Sequence, residues 1–207
     1  MTDPLDRFFR LLAAVPVPVD AEFLYGDDEL GRLRERNLRR YFAAVGSAGA
    51  PRVMLLAEAP GWRGMSVTGV PFVSARQVLA GAYSTHGALE LPEHPAAPWE
   101  ASSAVVASTI ATWRGPLPLT WPIYPHHPFV AGNSRTNRTP RPAEVRAGTP
   151  VALELARAFG IETIVAVGRK AQGALAAEGI EAPAVRHPAQ GGARQFAEQV
   201  AALNAAE

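Results

Sequence analysis

The stretch Leu55-Leu56-Ala57-Glu58-Ala59-Pro60-Gly61, followed shortly by Thr68-Gly69-Val70-Pro71-Phe72, decides how this chain folds. An apolar run ends in a single carboxylate and then in Pro-Gly. Residues 52–57 are apolar after the first and read as a strand buried on both faces, as in a parallel sheet. Such a strand delivers Glu58 to the carboxyl edge of the sheet, where ligands bind in open α/β folds. Ala57, Ala59 and Gly61 remove bulk from the approach to the acid. The glycines of the following loop mark places where backbone passes close to something else. Phe72 adds an aromatic plate. A carboxylate beside an aromatic ring suits a site that holds a flat ring and activates a water next to it.

Outward from this segment, strands and helices alternate. Residues 4–14 carry Leu5, Phe8, Phe9, Leu11 and Leu12 at helical spacing, and Pro16 and Pro18 stop the helix. Residues 30–45 form a second helix with a charged, solvated face. Ser74 is placed to N-cap a helix reaching about Tyr83. Residues 84–101 are a long loop, and 105–111 fit either helix or strand. Residues 117–124 are strand-like, but Pro118 and Pro122 confine them to a sheet edge. The arginine-, asparagine- and proline-rich stretch 125–143 reads as a functional loop. Thr149-Pro150 signals a helix start, and Gly160 its end. Residues 162–167 are a buried strand, 169–177 a helix, 182–186 a short last strand, and a final helix begins near Ala193. The expected fold class is α/β: a three-layer α/β/α sandwich on a short, mostly parallel central sheet. Residues 1–207 form one domain, with 1–50 a helical extension and 51–207 the α/β core.

Composition narrows the function classes. Net charge is +1, so nucleic-acid binding has to rest on a local patch. Residues 101–143 supply one, with Arg114, Arg135, Arg138 and Arg141 and no acid. Lys170 is the only lysine in the chain. The absence of cysteine excludes disulfides, thiolate zinc sites and cysteine-bound iron–sulfur clusters. Adjacent His126 and His127 point to opposite sides of an extended chain and do not suit one metal ion. No cofactor or metal is expected. No apolar run suggests a signal peptide or membrane span, so the expectation is a cytoplasmic protein, and a monomer.

Three further segments carry polar chemistry: Trp121-Pro122-Ile123-Tyr124-Pro125-His126-His127-Pro128, Asn137-Arg138-Thr139-Pro140, and Arg186-His187-Pro188-Ala189-Gln190-Gly191-Gly192. Together with Glu58-Ala59-Pro60-Gly61 and Thr68-Gly69-Val70-Pro71-Phe72, they stand in the order and spacing of a uracil-DNA glycosylase domain. The chain resembles a cysteine-free bacterial branch of that superfamily over roughly residues 53–196. The resemblance implies base flipping and metal-free hydrolysis of the N-glycosidic bond of uracil, or a related deaminated base, in DNA. Glu58 is then the acid that activates water or stabilises the sugar cation, and His187 the second catalytic residue. Ala59, Phe72, Pro122 and Tyr124 surround the base. Arg63, Thr68, His127, Arg135, Asn137, Arg138 and Gly191 contact DNA, single- or double-stranded.

The sequence departs from the family pattern at three places. Ala57 replaces a glycine, and Ala189 a residue that is often serine. Pro122 replaces the asparagine that reads the uracil amide edge, and proline offers no amide and no N–H. Asn133 or Asn137 could take over that task from the next loop. Two other functions fit the same residues: a DNA-binding protein on this fold with weak base release, and a small-molecule enzyme of the nucleoside hydrolase kind. Turnover separates the first from the glycosylase, and salt-dependent DNA affinity separates the second.

Overall fold

The computed structural model describes residues 4–206. In chain order the elements are α1 (Asp6–Ala14), β1 (Ala21–Glu22), α2 (Glu29–Ser47), β2 (Val53–Ala57), α3 (Met65–Thr68) and α4 (Ala75–Leu79). After a 3₁₀ turn at Ser84–His86 come α5 (Ala101–Ile110), β3 (Leu119–Pro122), β4 (His127–Pro128), α6 (Pro142–Phe159), β5 (Thr163–Val167), α7 (Arg169–Ala177), β6 (Ala184–Val185) and α8 (Ala193–Ala206).

Four strands form a parallel sheet in the order β3-β2-β5-β6. The five-residue strand β2 is paired on both sides and wholly buried, which explains its unbroken apolar sequence. Its alternate side chains build two cores. Met54 and Leu56 pack with Phe8 and Leu12 of α1, Tyr41 and Phe42 of α2, Leu155 of α6 and Leu175 of α7. Val53, Leu55 and Ala57 pack with Val106 and Ile110 of α5 and Phe196 and Val200 of α8. The period of two along one strand thus produces the three layers. A separate antiparallel ribbon joins β1 to β4, setting Glu22 opposite His127.

Strand β3 is the edge the prolines required. The Ile123 N–H donates to the Ala57 carbonyl at 2.8 Å, whereas the Thr120 N–H turns outward to the Tyr41 hydroxyl at 2.8 Å. Pro122, two residues beyond Thr120, falls on the same outward side, where the missing N–H costs no ladder bond.

One open expectation is settled and two change. Residues 101–110 are helical. The helix after Ser74 ends at Leu79; Ser74 and Gln77 form a reciprocal cap, with the Ser74 N–H donating to Gln77 Oε1 at 3.0 Å. Helix α6 starts at Pro142, about two turns before any start at Thr149-Pro150. Glu144 closes its first turn by accepting from the Arg141 N–H at 2.6 Å. Pro150 is tolerated inside the helix because it lies on the exposed face, where the carbonyl it leaves unbonded can be hydrated.

Candidate functional site

The sheet's carboxyl edge opens into a cavity of about 320 Å³. Glu58, Ala59, Phe72, Pro122, Asn137 and His187 all line it, although they come from five separate segments. Strand ends place most of them, while Phe72 and Asn137 come from loops. Glu58 leaves β2, Pro122 ends β3, and His187 follows β6 by two residues.

Glu58 is half-buried. Burial raises its pKa above the ordinary glutamate value of 4.5; the Lys170 charge and a hydrogen bond with Thr139 offset part of that rise. Lys170 stands in the first turn of α7 and lines, with Glu58, Arg186, His187 and Gln190, a wider cleft that continues from the cavity. His187 is held as a neutral ring. Burial, and secondarily Arg186, lower its pKa below the ordinary 6.5. The Ala189 N–H donates to Nδ1 at 3.1 Å, so the ring proton sits on Nε2.

Phe72 has φ of +55°, a left-handed conformation that a bulky residue rarely adopts. Strain of this kind persists only where the surroundings hold it. Here the Thr68 hydroxyl accepts from the Val70 N–H at 3.1 Å and donates to the Val73 carbonyl at 2.7 Å, pinning the loop on both sides of the ring. The Phe72 ring lies 6.4 Å from His187, centroid to centroid.

Several expected contacts have other tasks. Thr68 is fully buried and organises the Phe72 loop, so it does not meet DNA. The N–H groups of Thr68 and Gly69 donate to the carbonyls of Gly64 and Met65 and have nothing left for a phosphate. Tyr124 is buried outside the cavity, its hydroxyl donating to the Pro16 carbonyl at 3.4 Å, and it does not touch a base. His127 is buried too. Its Nε2–H donates to the Thr136 carbonyl at 2.9 Å and to Asn137 Oδ1 at 3.3 Å, so it buttresses the loop instead of contacting DNA. His126 bonds Val15 instead, so the two rings diverge.

Arg138 is the largest correction. Its guanidinium lies between two carboxylates, with Nε and NH2 donating to Asp20 at 3.0 Å and NH1 and NH2 donating to Glu144 at 2.7 and 2.6 Å. A guanidinium engaged this way cannot also clamp phosphate. Arg63 and Arg135 remain exposed, Arg63 lying 4.6 Å over the Trp62 ring. Gly191, with φ of +76°, turns the loop after His187.

Two residues of the site, Lys170 and Glu100, escape a reading of the sequence, and Thr139 is legible only as part of the polar loop 137–140. Thr139 gives no local sign of its bond to Glu58, and Glu100 is an ordinary loop residue until folding brings it to the same cavity. Lys170 is conspicuous as the single lysine, but nothing local ties it to an acid more than a hundred positions earlier. Among the described residues no group of three histidine, aspartate or glutamate side chains is placed to hold a metal ion, and no helix is long and apolar enough to cross a membrane.

Residues 43–204 match the model of the uracil DNA glycosylase superfamily. A solved structure of wild-type SMUG2 from Pedobacter heparinus superposes with a TM-score of 0.66 at 15% identity, covering 100% of this chain and 97% of that one. A search of curated proteins found no match.

Proposed function

The chain belongs to the uracil DNA glycosylase superfamily, and from that premise we propose that it hydrolyses the N-glycosidic bond of uracil, or a related deaminated base, in DNA. The observation that carries this reading is the convergence of Glu58, Phe72 and His187 on one cavity at the sheet's carboxyl edge.

The chemistry follows from these residues. A glycosidic bond inside the base stack is out of reach, so the nucleotide is extruded into the cavity. Phe72 stacks on the base. As the bond to C1′ lengthens, positive charge grows on the sugar, and the Glu58 carboxylate stabilises it and draws a proton from the attacking water. Negative charge grows on the departing base, and the His187 Nε2–H can donate to one of its carbonyl oxygens. A neutral imidazole suits this role, because its donor is present without burying a second charge. Lys170 favours the ionised form of Glu58 that the reaction uses. The cleft lined by Lys170 and Arg186, together with exposed Arg63 and Arg135, supplies positive charge for the strand backbone.

The direct test is single-turnover release of uracil from single- and double-stranded oligonucleotides. Absence of release by folded, DNA-bound protein would leave the binding-protein reading in its place.

Two further outcomes are expected. Because the folded pKa of Glu58 is raised, its carboxylate is lost sooner than an ordinary one as pH falls. Release therefore declines toward acid with an inflection above 4.5, the ordinary value. Rates measured from neutral to mildly acidic pH check this; the inflection should vanish in Glu58→Gln and persist in Glu100→Gln. Phe72→Ala removes a stacking surface worth roughly 1–3 kcal/mol per base. It should slow release by at least about tenfold while leaving affinity for abasic DNA within about threefold, checked by single-turnover kinetics and titration.

A further inference from the structure

The cavity holds a second carboxylate. Glu100 occupies the N-cap position of α5, yet its side chain does not cap the helix. It turns into the cavity wall opposite the Gly61–Gly64 turn. Its Oε2 accepts from the Ser103 hydroxyl at 2.6 Å. Its Oε1 has no hydrogen-bond donor among the described residues, and no cation pairs with the group. A Cβ at Gly61 would meet Oε1 and one at Gly64 would meet Oε2, so the two glycines leave the room that this carboxylate takes.

Asn137 reaches the same point from the opposite loop. The orientation of its amide is fixed, because Oδ1 accepts from the Trp62 N–H at 3.0 Å and from His127 Nε2–H at 3.3 Å. The Nδ2 donors therefore face away from these partners. Nδ2 lies 3.7 Å from where a Cβ on Gly61 would sit, and Glu100 Oε1 lies closer still to that same point. A fixed donor and an unpartnered acceptor thus both flank the Gly61 turn in the cavity wall.

We propose that Glu100 and Asn137 jointly read the base, Asn137 Nδ2 donating to a ring carbonyl and Glu100 Oε1 accepting from the adjacent ring N–H. This pair recognises a lactam edge, a carbonyl next to an N–H, which deamination creates in place of an amino group next to a ring nitrogen. On cytosine both contacts reverse sign: the amino group meets Nδ2, and the ring nitrogen's lone pair meets Oε1. A site whose polar groups are left unpaired by the wrong ligand rejects it strongly. Two residues split between two loops thereby replace the single side-chain amide that Pro122 cannot supply. The inference rests on the proposal that the cavity receives an extruded base.

The test reads recognition without hydrolysis. Duplexes carrying 2′-fluoro-2′-deoxyuridine or 2′-fluoro-2′-deoxycytidine at one position, which resist bond cleavage, are titrated with wild type, Glu100→Ala and Glu100→Gln. Wild type should prefer the uracil duplex by at least about tenfold. Glu100→Ala should erase that preference with affinity for an abasic duplex unchanged. Glu100→Gln can still offer its carbonyl to the base while its NH₂ faces Ser103, and should retain most of the preference. A wild type without preference, or a folded Glu100→Ala that discriminates like wild type, overturns the inference. If the preference is present and lost in Glu100→Ala while wild type releases no uracil from ordinary uracil-containing DNA, the base-reading pair stands and the glycosylase reading alone fails.

Discussion

Glu58→Gln will slow single-turnover release of uracil by at least about a hundredfold, within the range general acid–base catalysis contributes. The substitution keeps size and hydrogen-bonding capacity but removes the negative charge that the sugar cation and the attacking water both need. It also carries its own control. Burial disfavours the ionised form of Glu58, so its folded pKa is raised. A carboxylate with a raised folded pKa costs stability above that pKa, where it is ionised. Gln removes that cost, and the melting temperature of the variant at neutral pH should equal or exceed that of wild type. A residue kept for structure would show the opposite: lower stability and unchanged chemistry. Release at the wild-type rate by a folded variant would remove Glu58 from the mechanism.

The parts of this molecule that a sequence exposes are those fixed by local physics. Strand β2 announces itself because a strand buried on both faces has to be apolar throughout, and Pro60-Gly61 has to end it. Gly160, with φ of +65°, ends α6 because only a left-handed residue closes that turn without strain. Pro118 and Pro122 mark an edge strand because they lack donors. Even the glycines after Glu58 are legible as points of close approach, although the sequence does not say what approaches. At Gly61 and Gly64 the answer is Glu100, which arrives from a loop that has no periodicity of its own. The Thr149-Pro150 signal misleads because a proline on the solvent face of a helix interior looks locally like one at its first turn. Arg138 misleads for a related reason. Residues 101–143 contain no acid, so its arginines look free, but the carboxylates that engage Arg138 lie outside that window, at Asp20 and Glu144. Charge pairing over more than a hundred positions is a property of the fold and leaves no mark on composition.

Arg138→Ala should lower the melting temperature by at least about 5 °C and leave the salt dependence of DNA binding unchanged. Arg138 joins Asp20, just ahead of β1, to Glu144 in the first turn of α6, and Arg141 bonds the same two acids. Its removal leaves two largely buried carboxylates with a single, more exposed guanidinium between them. Breaking a buried pair from one side costs far more than the pair itself gains, because the remaining charges stay desolvated. In a chain of this length each kcal/mol lost moves the melting point by about 2–4 °C. The pH dependence has a definite sign. Hydrogen bonds from Arg141 and Arg138 hold the Asp20 carboxyl well below its ordinary 3.8. Its contribution is therefore complete above 3.8 and disappears only as pH falls through the depressed folded value. The gap between wild type and variant should be full at neutral pH and close in strong acid, where neither protein keeps the pair. Phosphate contact makes a different demand. An arginine that neutralises one phosphate takes about one from the slope of log affinity against log salt when it is removed. Exposed Arg63 and Arg135 should show that loss, and Arg138 should not. Thermal melts across pH, with DNA titrations across salt for the three alanine variants, separate the two roles. A folded Arg138→Ala with wild-type melting and a reduced slope would return this residue to the DNA interface.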